Sequence, residues 1–445
     1  MKAGVFPGEK DSDQGTENGD DACERNKAIS VPQNYLARNS CHALPLDLKF
    51  DPNSLSFFSV ILKSIHIKNF RAHEDSHVEL DAGMNLLVGS NGVGKTNILE
   101  AIYTLCLSRS FLTSSDRYVL RKDAPFFEVE GQFESEKRGP TKVRVAFLPG
   151  EGKKIFVNGA PLDRFSELVG RFPVVIFSPE DHQLTSEGPE IRRRFLDNIV
   201  SQSSSVYLDH LLRYRKALKQ RNELLQMSRK RRVAPDPILL SSWTEELVKH
   251  GAVLLASRHR FVRDFSSHLE DSYQQVATVV ERPSLAYEPF SGSVLTDINA
   301  EELFRAEIAR KETSERERGV TLVGPHRDDL DMFLGELPVR RYASQGQHRS
   351  FGMAMKLAQY AYLCERNAET PILLLDDVFD NLDPHRISAF LDILGSDSIG
   401  QSITTAARKE IVHNHLNGQE CQTIEVFAGG RVQQKKTEID SVSLE

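Results

Sequence analysis

"MNLLVGSNGVGKTNILEAIY", residues 84–103, decides how this chain is read. A short apolar run, Met84 to Val88, enters a loop of the form GxxxxGK[ST] at Gly89–Thr96. A helical pattern follows at once, with Ile98, Leu99, Ile102, Leu105 and Cys106 at three- and four-residue spacing. Strand, glycine loop and helix form the setting in which this motif binds phosphate. The motif alone arises by chance in roughly 1–2% of chains this long, and the setting makes chance rarer still. Its chemistry needs these residues. Gly89, Gly92 and Gly94 let backbone approach anionic oxygens, so that N–H groups along Gly89, Ser90, Asn91, Gly92, Val93 and Gly94 point into one concavity. The helix N-terminus adds positive potential. Lys95 is placed to reach the β- and γ-phosphates, and Thr96 to give its hydroxyl to Mg²⁺.

A second stretch, "PILLLDDVFDNLD" (371–383), supplies the acids that such a loop requires. Four apolar residues feed Asp376, Asp377, Asp380 and Asp383, a crowding of like charge that needs a cation, basic neighbours or full exposure. An Asp-rich surface turn is the plain alternative. An EF-hand is a poor fit, because the central Gly and closing Glu are missing at the required offsets. Beside a phosphate loop, Asp376 at a strand end is suited to hold the metal, directly or through water. Asp377 is suited to orient or deprotonate the attacking water. About 280 residues separate Thr96 from Asp376, far more than a compact nucleotide kinase needs.

The chain is 445 residues long, 40% hydrophobic and 27% charged, which allows two or three ordinary globular domains. The net charge of −7 confines any nucleic-acid contact to a local basic surface. The five cysteines, Cys23, Cys41, Cys106, Cys364 and Cys421, are scattered without CxxC spacing. A zinc site or disulfide framework is therefore not expected, and a reducing cytoplasm is. No apolar run approaches the ~18 residues of a membrane span, and residues 1–30 lack a signal-peptide core.

Residues 1–58 are polar, Gly- and Asp-rich, and expected to be a disordered extension. We expect them to be dispensable, with native translation beginning at Val60. Residues 59–186 form the first part of an α/β head: a strand near 60–70 with Ile65 and Ile67 alternating, a second at 77–80, and a hairpin at Asn158-Gly159. Residues 187–280 turn helical. Tyr207, Leu211, Tyr214, Leu218 and Leu225 recur at helical spacing with Arg221 as an interruption, and Leu247, Leu254 and Phe261 recur every seven residues. Pro235 and Pro237 break the pattern, which predicts an antiparallel helical hairpin, a short coiled-coil arm. The head resumes over 281–432 with a strand at "GVTLVG" (319–324), a helix at 346–366, a strand at 372–375, a helix at 384–394 and a strand at 399–404. Residues 433–445 read as a flexible tail.

Between a strand and a helix lies "YASQGQHRS" (342–350). It resembles the signature motif of ABC-type ATPases, and more narrowly that of the RecF family of DNA repair and replication proteins. "LKSIHIKNFR", "GSNGVGKTNILEAIY", "FSPED" (177–181), "RRRFLD" (192–197), "GPHRDDL" (324–330) and "LLLDDVFDNLD" complete the family's set in order, so the resemblance covers 60–432. It implies a P-loop ABC/SMC-type ATPase head with an inserted helical, coiled-coil-like arm, and ATP with Mg²⁺ sandwiched between two protomers. Ser344, Gln345, Gly346 and Gln347 of one chain would face the γ-phosphate held by Lys95 of the other. Asp380 and Asp383 match the loop at that dimer interface, and Arg71 matches an Arg near the nucleotide phosphates. Three departures stand out: Asp377 where transport ATPases usually carry Glu, Thr404 and Thr405 where they carry a switch His, and altered wording after Asp181. Slow turnover, as in a switch, is the expectation.

Basic residues gather in and before the arm: Arg192, Arg193 and Arg194, then Arg213, Arg215, Lys216, Lys219, Arg221 and Arg229–Arg232. A solvated helix face is one reading; DNA phosphates are the other, favoured by such concentration in an acidic chain. No base-reading motif is present, so contacts would be to backbone or DNA structure. The resemblance implies single-stranded or gapped DNA, mediator partners of the RecO and RecR type, and a role in gap repair, replication and SOS induction. The competing readings are an ABC transporter's ATPase subunit and a metabolic P-loop phosphotransferase.

Overall fold

The alternation at Ile65 and Ile67 becomes strand β1 (Val60–Phe70), whose inward side chains Val60, Leu62, Ile65, Ile67 and Phe70 are fully buried. A bulge between Leu62 and Ser64 resets its register. The computed structural model describes residues 58–276, 281–290, 299–379, 384–396, 398–408 and 420–435. The expected extension before residue 58, the acids Asp380 and Asp383, and the chain beyond 435 lie outside the described residues.

After β1 come β2 (His73–Glu79), β3 (Met84–Val88) and α1 (Lys95–Leu107). Strands β4 (Phe127–Ser135), β5 (Gly139–Leu148), β6 (Gly152–Val157) and β7 (Ala160–Pro161) extend an antiparallel sheet in the order β2-β1-β4-β5-β6-β7. Asn158 and Gly159 both take positive φ (50° and 83°), as the tight β6–β7 hairpin requires. The next elements are β8 (Val174–Phe177), α2 (Gln183–Ser186), α3 (Pro189–Ser203), α4 (Ser205–Arg231) and α5 (Pro237–Val276). Then follow β9 (Pro283–Glu288), α6 (Ala300–Arg318), β10 (Asp329–Leu334), β11 (Leu337–Pro338), α7 (Val339–Tyr342) and α8 (Gln345–Asn367). The chain closes with β12 (Ile372–Leu375), α9 (Pro384–Leu394), β13 (Ser402–Ala406), β14 (Cys421–Val426) and β15 (Val432–Lys435).

The sheet that positions the site has the order β15-β14-β3-β13-β12-β8, parallel except for β15. Such strands are covered on both faces and read as continuous apolar runs. Ile372 to Leu375 are all wholly buried, each side chain stabilising the fold by roughly 1.5–3 kcal/mol. The sheet thus delivers the Gly89 loop from β3 and the Asp376 turn from β12 at the carboxyl ends of its strands, where ligand-binding crevices of such sheets form.

The helical pair is present, but it does not stand free. Tyr207, Leu211, Tyr214 and Leu225 of α4 are buried, as are Leu247, Leu254 and Phe261 of α5. Helix α5 also packs along α8 and α6; large apolar groups are exposed at the turn region, with Met227, Val233 and Ile238, and near the start of α4, at Val206 and Leu212. The strand expected at "GVTLVG" is absent. The Thr321 N–H donates to the Asn222 side chain (2.7 Å) and the Leu322 N–H to Glu315 (2.7 Å), so no ladder partner takes them. The strand instead begins at Asp329 and pairs with β9. Arg221, read as an interruption, is buried and satisfied by Glu315 (2.6 Å), Thr321 (2.8 Å) and Thr244 (3.0 Å).

Candidate nucleotide site

The phosphate loop turns through Gly92 (φ 83°) and Gly94 (φ 111°), conformations open to glycine. Space is as restrictive as φ. A Cβ on Gly94 would meet His73 Nε2 at 2.8 Å, and one on Gly89 would meet the Val426 carbonyl at 2.3 Å. Buried His73 supports the loop from below, its Nε2 lying 3.0 Å from the Gly94 carbonyl and its Nδ1 2.9 Å from Ser76 Oγ. Burial holds its pKa below the ordinary value, against the bonds to the Gly94 and Gly430 backbone. The sequence reading missed His73. Its only signal was a histidine at the inward phase of a strand.

Lys95 is almost wholly buried at the first turn of α1, and its Nζ donates to the carbonyls of Gly89 (2.8 Å) and Ser90 (3.3 Å). No carboxylate pairs with it among the described residues. Thr96 Oγ1 donates to Asp376 Oδ1 at 2.7 Å across 280 positions of sequence. Two hard oxygens meeting beside a phosphate loop fit Mg²⁺ by ligand type. Burial raises the Asp376 pKa, and the Asp377 charge adds to it, against the Thr96 and Thr405 hydroxyls and Lys95. Asp377 sits at φ 45°, a conformation that costs a non-glycine residue roughly 1–2 kcal/mol. Its N–H donates to Thr405 Oγ1 (2.8 Å), which offsets part of that cost.

Arg71 is held by a bidentate pair with buried Glu100 of α1, at 2.9 and 2.8 Å. Glu100 also accepts from Ser110 Oγ, tying the loop after α1 to the same carboxylate. At the start of α8, Ser344 Oγ accepts from Gln347 N (3.2 Å), and Gln347 Oε1 accepts from Ser344 N (2.8 Å). This capping box leaves Ser344 and Gln345 exposed and holds Gly346 at a helix N-terminus. Asp181 caps its own turn and pairs with Lys356 (3.1 Å), which is a structural role for "FSPED".

The basic candidates divide. Arg192 is buried, its guanidinium bidentate with Asp329 (2.7 Å to each oxygen) and donating to the Glu187 carbonyl. Three of its five N–H donors are engaged in that buried setting. Arg193 is half-buried and donates to the Asp328 carbonyl (2.5 Å). Arg194, Arg213, Arg215, Lys216 and Lys219 are exposed. Arg194 and Arg215 line a cleft of about 940 Å³ together with Arg109 and Lys153, two cations that the sequence reading did not single out.

With that geometry in view, a family model described as the RecF/RecN/SMC N-terminal domain matches residues 61–430. A DNA replication and repair protein RecF from Salinibacter ruber is 49% identical over 375 residues, covering 83% of this chain and 91% of that protein. The chain belongs to the RecF family. Its RecF relative from Chloroherpeton thalassium is 44% identical, covering 80% of this chain and 98% of the relative. The solved structure of the recombination mediator protein RecF-ATP in the RecFOR pathway superimposes with a TM-score of 0.78 at 30% identity, over 85% of this chain and 99% of that one. An Smc head domain from Pyrococcus furiosus, at 15% identity and TM-score 0.50, shares the fold. The fold is thus the ATPase-head architecture of RecF and SMC proteins. Among the described residues, no helix is long and apolar enough to cross a membrane.

Proposed function

We propose that this RecF-family chain is an ATP-switched DNA-binding protein of recombinational gap repair, replication and SOS induction. It binds single-stranded or gapped DNA in the cytoplasm as an ATP-dependent homodimer, with RecR- and RecO-type mediators as partners. The observation that carries the reading is the 2.7 Å meeting of Thr96 and Asp376, which joins a phosphate loop to a metal-binding acid. The relatives' role in DNA replication and repair, and the RecF-ATP neighbour, support it.

In this reading the loop N–H groups and Lys95 cradle the triphosphate, while Thr96 and Asp376 hold Mg²⁺. The ion, when bound, neutralises charge developing on the phosphoryl oxygens. Asp377 positions the attacking water from its strained turn. The exposed Ser344 hydroxyl and the α8 N-terminus offer donors to a second molecule's γ-phosphate. Arg109, Arg194 and Arg215, with Lys216 and Lys219, offer phosphate contacts to DNA. Exchange of Asp377 for the longer Glu of transporters would move the carboxylate, and slow hydrolysis is the expected property of the shorter acid.

Two measurements test the reading. Binding to gapped, single-stranded and duplex DNA is compared with ATP, ADP and no nucleotide, and equal affinity under all three sinks the switch. Analytical ultracentrifugation with ATP and Mg²⁺ should show a dimer for the parent. Ser344→Arg should bind ATP as a monomer. A parent that stays monomeric with ATP and gapped DNA, or a variant that dimerises normally, sinks the sandwich.

A further inference from the structure

We infer that Thr405 is the positioning residue of the hydrolytic step, its hydroxyl holding the Asp376 and Asp377 carboxylates in fixed relation from the neighbouring strand. The inference rests on the nucleotide reading above and goes further by assigning a role to the strand β13, where a switch His is replaced.

Thr405 is wholly buried on β13, which pairs with β12 directly before the two acids. Its Oγ1 accepts the Asp377 N–H at 2.8 Å and lies 3.0 Å from Asp376 Oδ1 and 3.2 Å from Asp377 Oδ1. A hydroxyl has one proton and two lone pairs. That single proton serves two carboxylates, and it goes to the stronger acceptor. Asp376 Oδ1 already accepts the Thr96 hydroxyl, whereas among the described residues Asp377 Oδ1 has Thr405 as its donor. A cation held by Thr96 and Asp376 would weaken Asp376 as an acceptor and would favour Asp377 as the acceptor of the Thr405 proton. The water-positioning carboxylate is then held at both ends, by its own N–H and by one of its oxygens.

The identity of the side chain matters as much as its place. An imidazole here would change charge near neutral pH, next to two acids that favour its protonation. A hydroxyl does not titrate, so its hold on Asp377 is the same across the physiological range. The adjacent Thr404 gives an internal control. It is equally buried, yet among the described residues its Oγ1 has no hydrogen-bond partner.

The test uses the full chain, steady-state ATP hydrolysis from pH 5.5 to 8.5, and fluorescent-ADP binding. Thr405→Val should lower kcat by about 100-fold while KM and ADP affinity stay within about threefold of the parent. Thr405→Ser should return kcat to within about threefold, and Thr404→Val should match the parent. Thr405→His should add an acid limb near pH 6.5 that the parent lacks. Parent-like turnover by Thr405→Val, Thr405→Ser as slow as the valine variant, or an equal loss in Thr404→Val would each overturn the inference. Should the valine variant fail to fold, Thr405→Ser against Thr405→Ala gives the same contrast. A parent that binds no fluorescent ADP removes the nucleotide reading itself; a parent that binds and hydrolyses, with a valine variant as fast, removes only the role of Thr405.

Discussion

Two regions of this molecule bury charge, and they do it in opposite ways. At the root of the helical pair, Arg258 is enclosed by Asp197 (2.8 Å), Asp328 (3.2 Å), the Pro325 carbonyl (2.6 Å) and the Tyr207 hydroxyl (3.1 Å). Arg221 with Glu315, and Arg192 with Asp329, repeat the arrangement close by. At the sheet edge, buried Lys95 has, among the described residues, only backbone carbonyls as partners, and Asp376 and Asp377 have hydroxyls. Charges that neutralise one another fix a shape. Charges given weak neutral partners stay ready for a ligand that brings the opposite sign. The burial of an ionic group therefore says little about function until its partners are named.

The contrast predicts different costs. Arg258→Met should be the most damaging, because it leaves Asp328 buried without its cation and Asp197 dependent on the exposed Arg215 (3.0 Å); about 3–5 kcal/mol should be lost in urea unfolding. A loss below about 1 kcal/mol would break the comparison. His326 comes next. Burial first, then Arg327, Arg193 and Arg258, hold its pKa down at about 4 despite a bond to the Thr321 carbonyl. Its unfolded form binds a proton near pH 6.5, so the unfolded state takes up more protons between there and pH 4. Its stabilisation is therefore complete above about pH 6.5 and falls by about 3 kcal/mol towards pH 4. His326→Gln should remove that part of the pH dependence, read from melting curves. At the sheet edge, Lys95→Ala should weaken ATP binding by about 1.5–3 kcal/mol in calorimetry, with little change in melting temperature. Destabilisation as large as that of Arg258→Met would show Lys95 to be structural. The smallest effect belongs to the exposed Arg305–Glu245 pair (2.5 Å). Glu245→Gln should shift stability by at most about 0.5 kcal/mol, and less at high salt.

The parallel strands and the loop were legible because their signals are local. Met84–Val88 and Ile372–Leu375 are strands over the very residues expected, since full burial demands uninterrupted apolar runs. Other features depend on groups brought from far away. "GVTLVG" has strand composition, yet its N–H groups are claimed by Asn222 and Glu315, which no local window contains. Arg221 and Arg192 looked like surface cations because their acids lie about 95 and 137 positions onward. Thr405 was visible only as a departure from a pattern. Its place between two carboxylates is a product of strand pairing.

The strand order carries a consequence for how the chain is made. The first strand of the nucleotide sheet, β3, lies between β13 and β14, so neither of its neighbours exists until roughly 310 further residues have been joined. At ribosomal speeds of about 5–20 residues per second, that is a wait of roughly 15–60 s. Throughout it, the apolar Met84–Val88 segment and the phosphate loop have emerged without the strands that shelter them. The antiparallel sheet around β1 and the helical pair can assemble on the nascent chain, whereas the ATP site is completed last. Nucleotide affinity thus reports that synthesis has been completed, and a chain released early should be a target for chaperones and proteases.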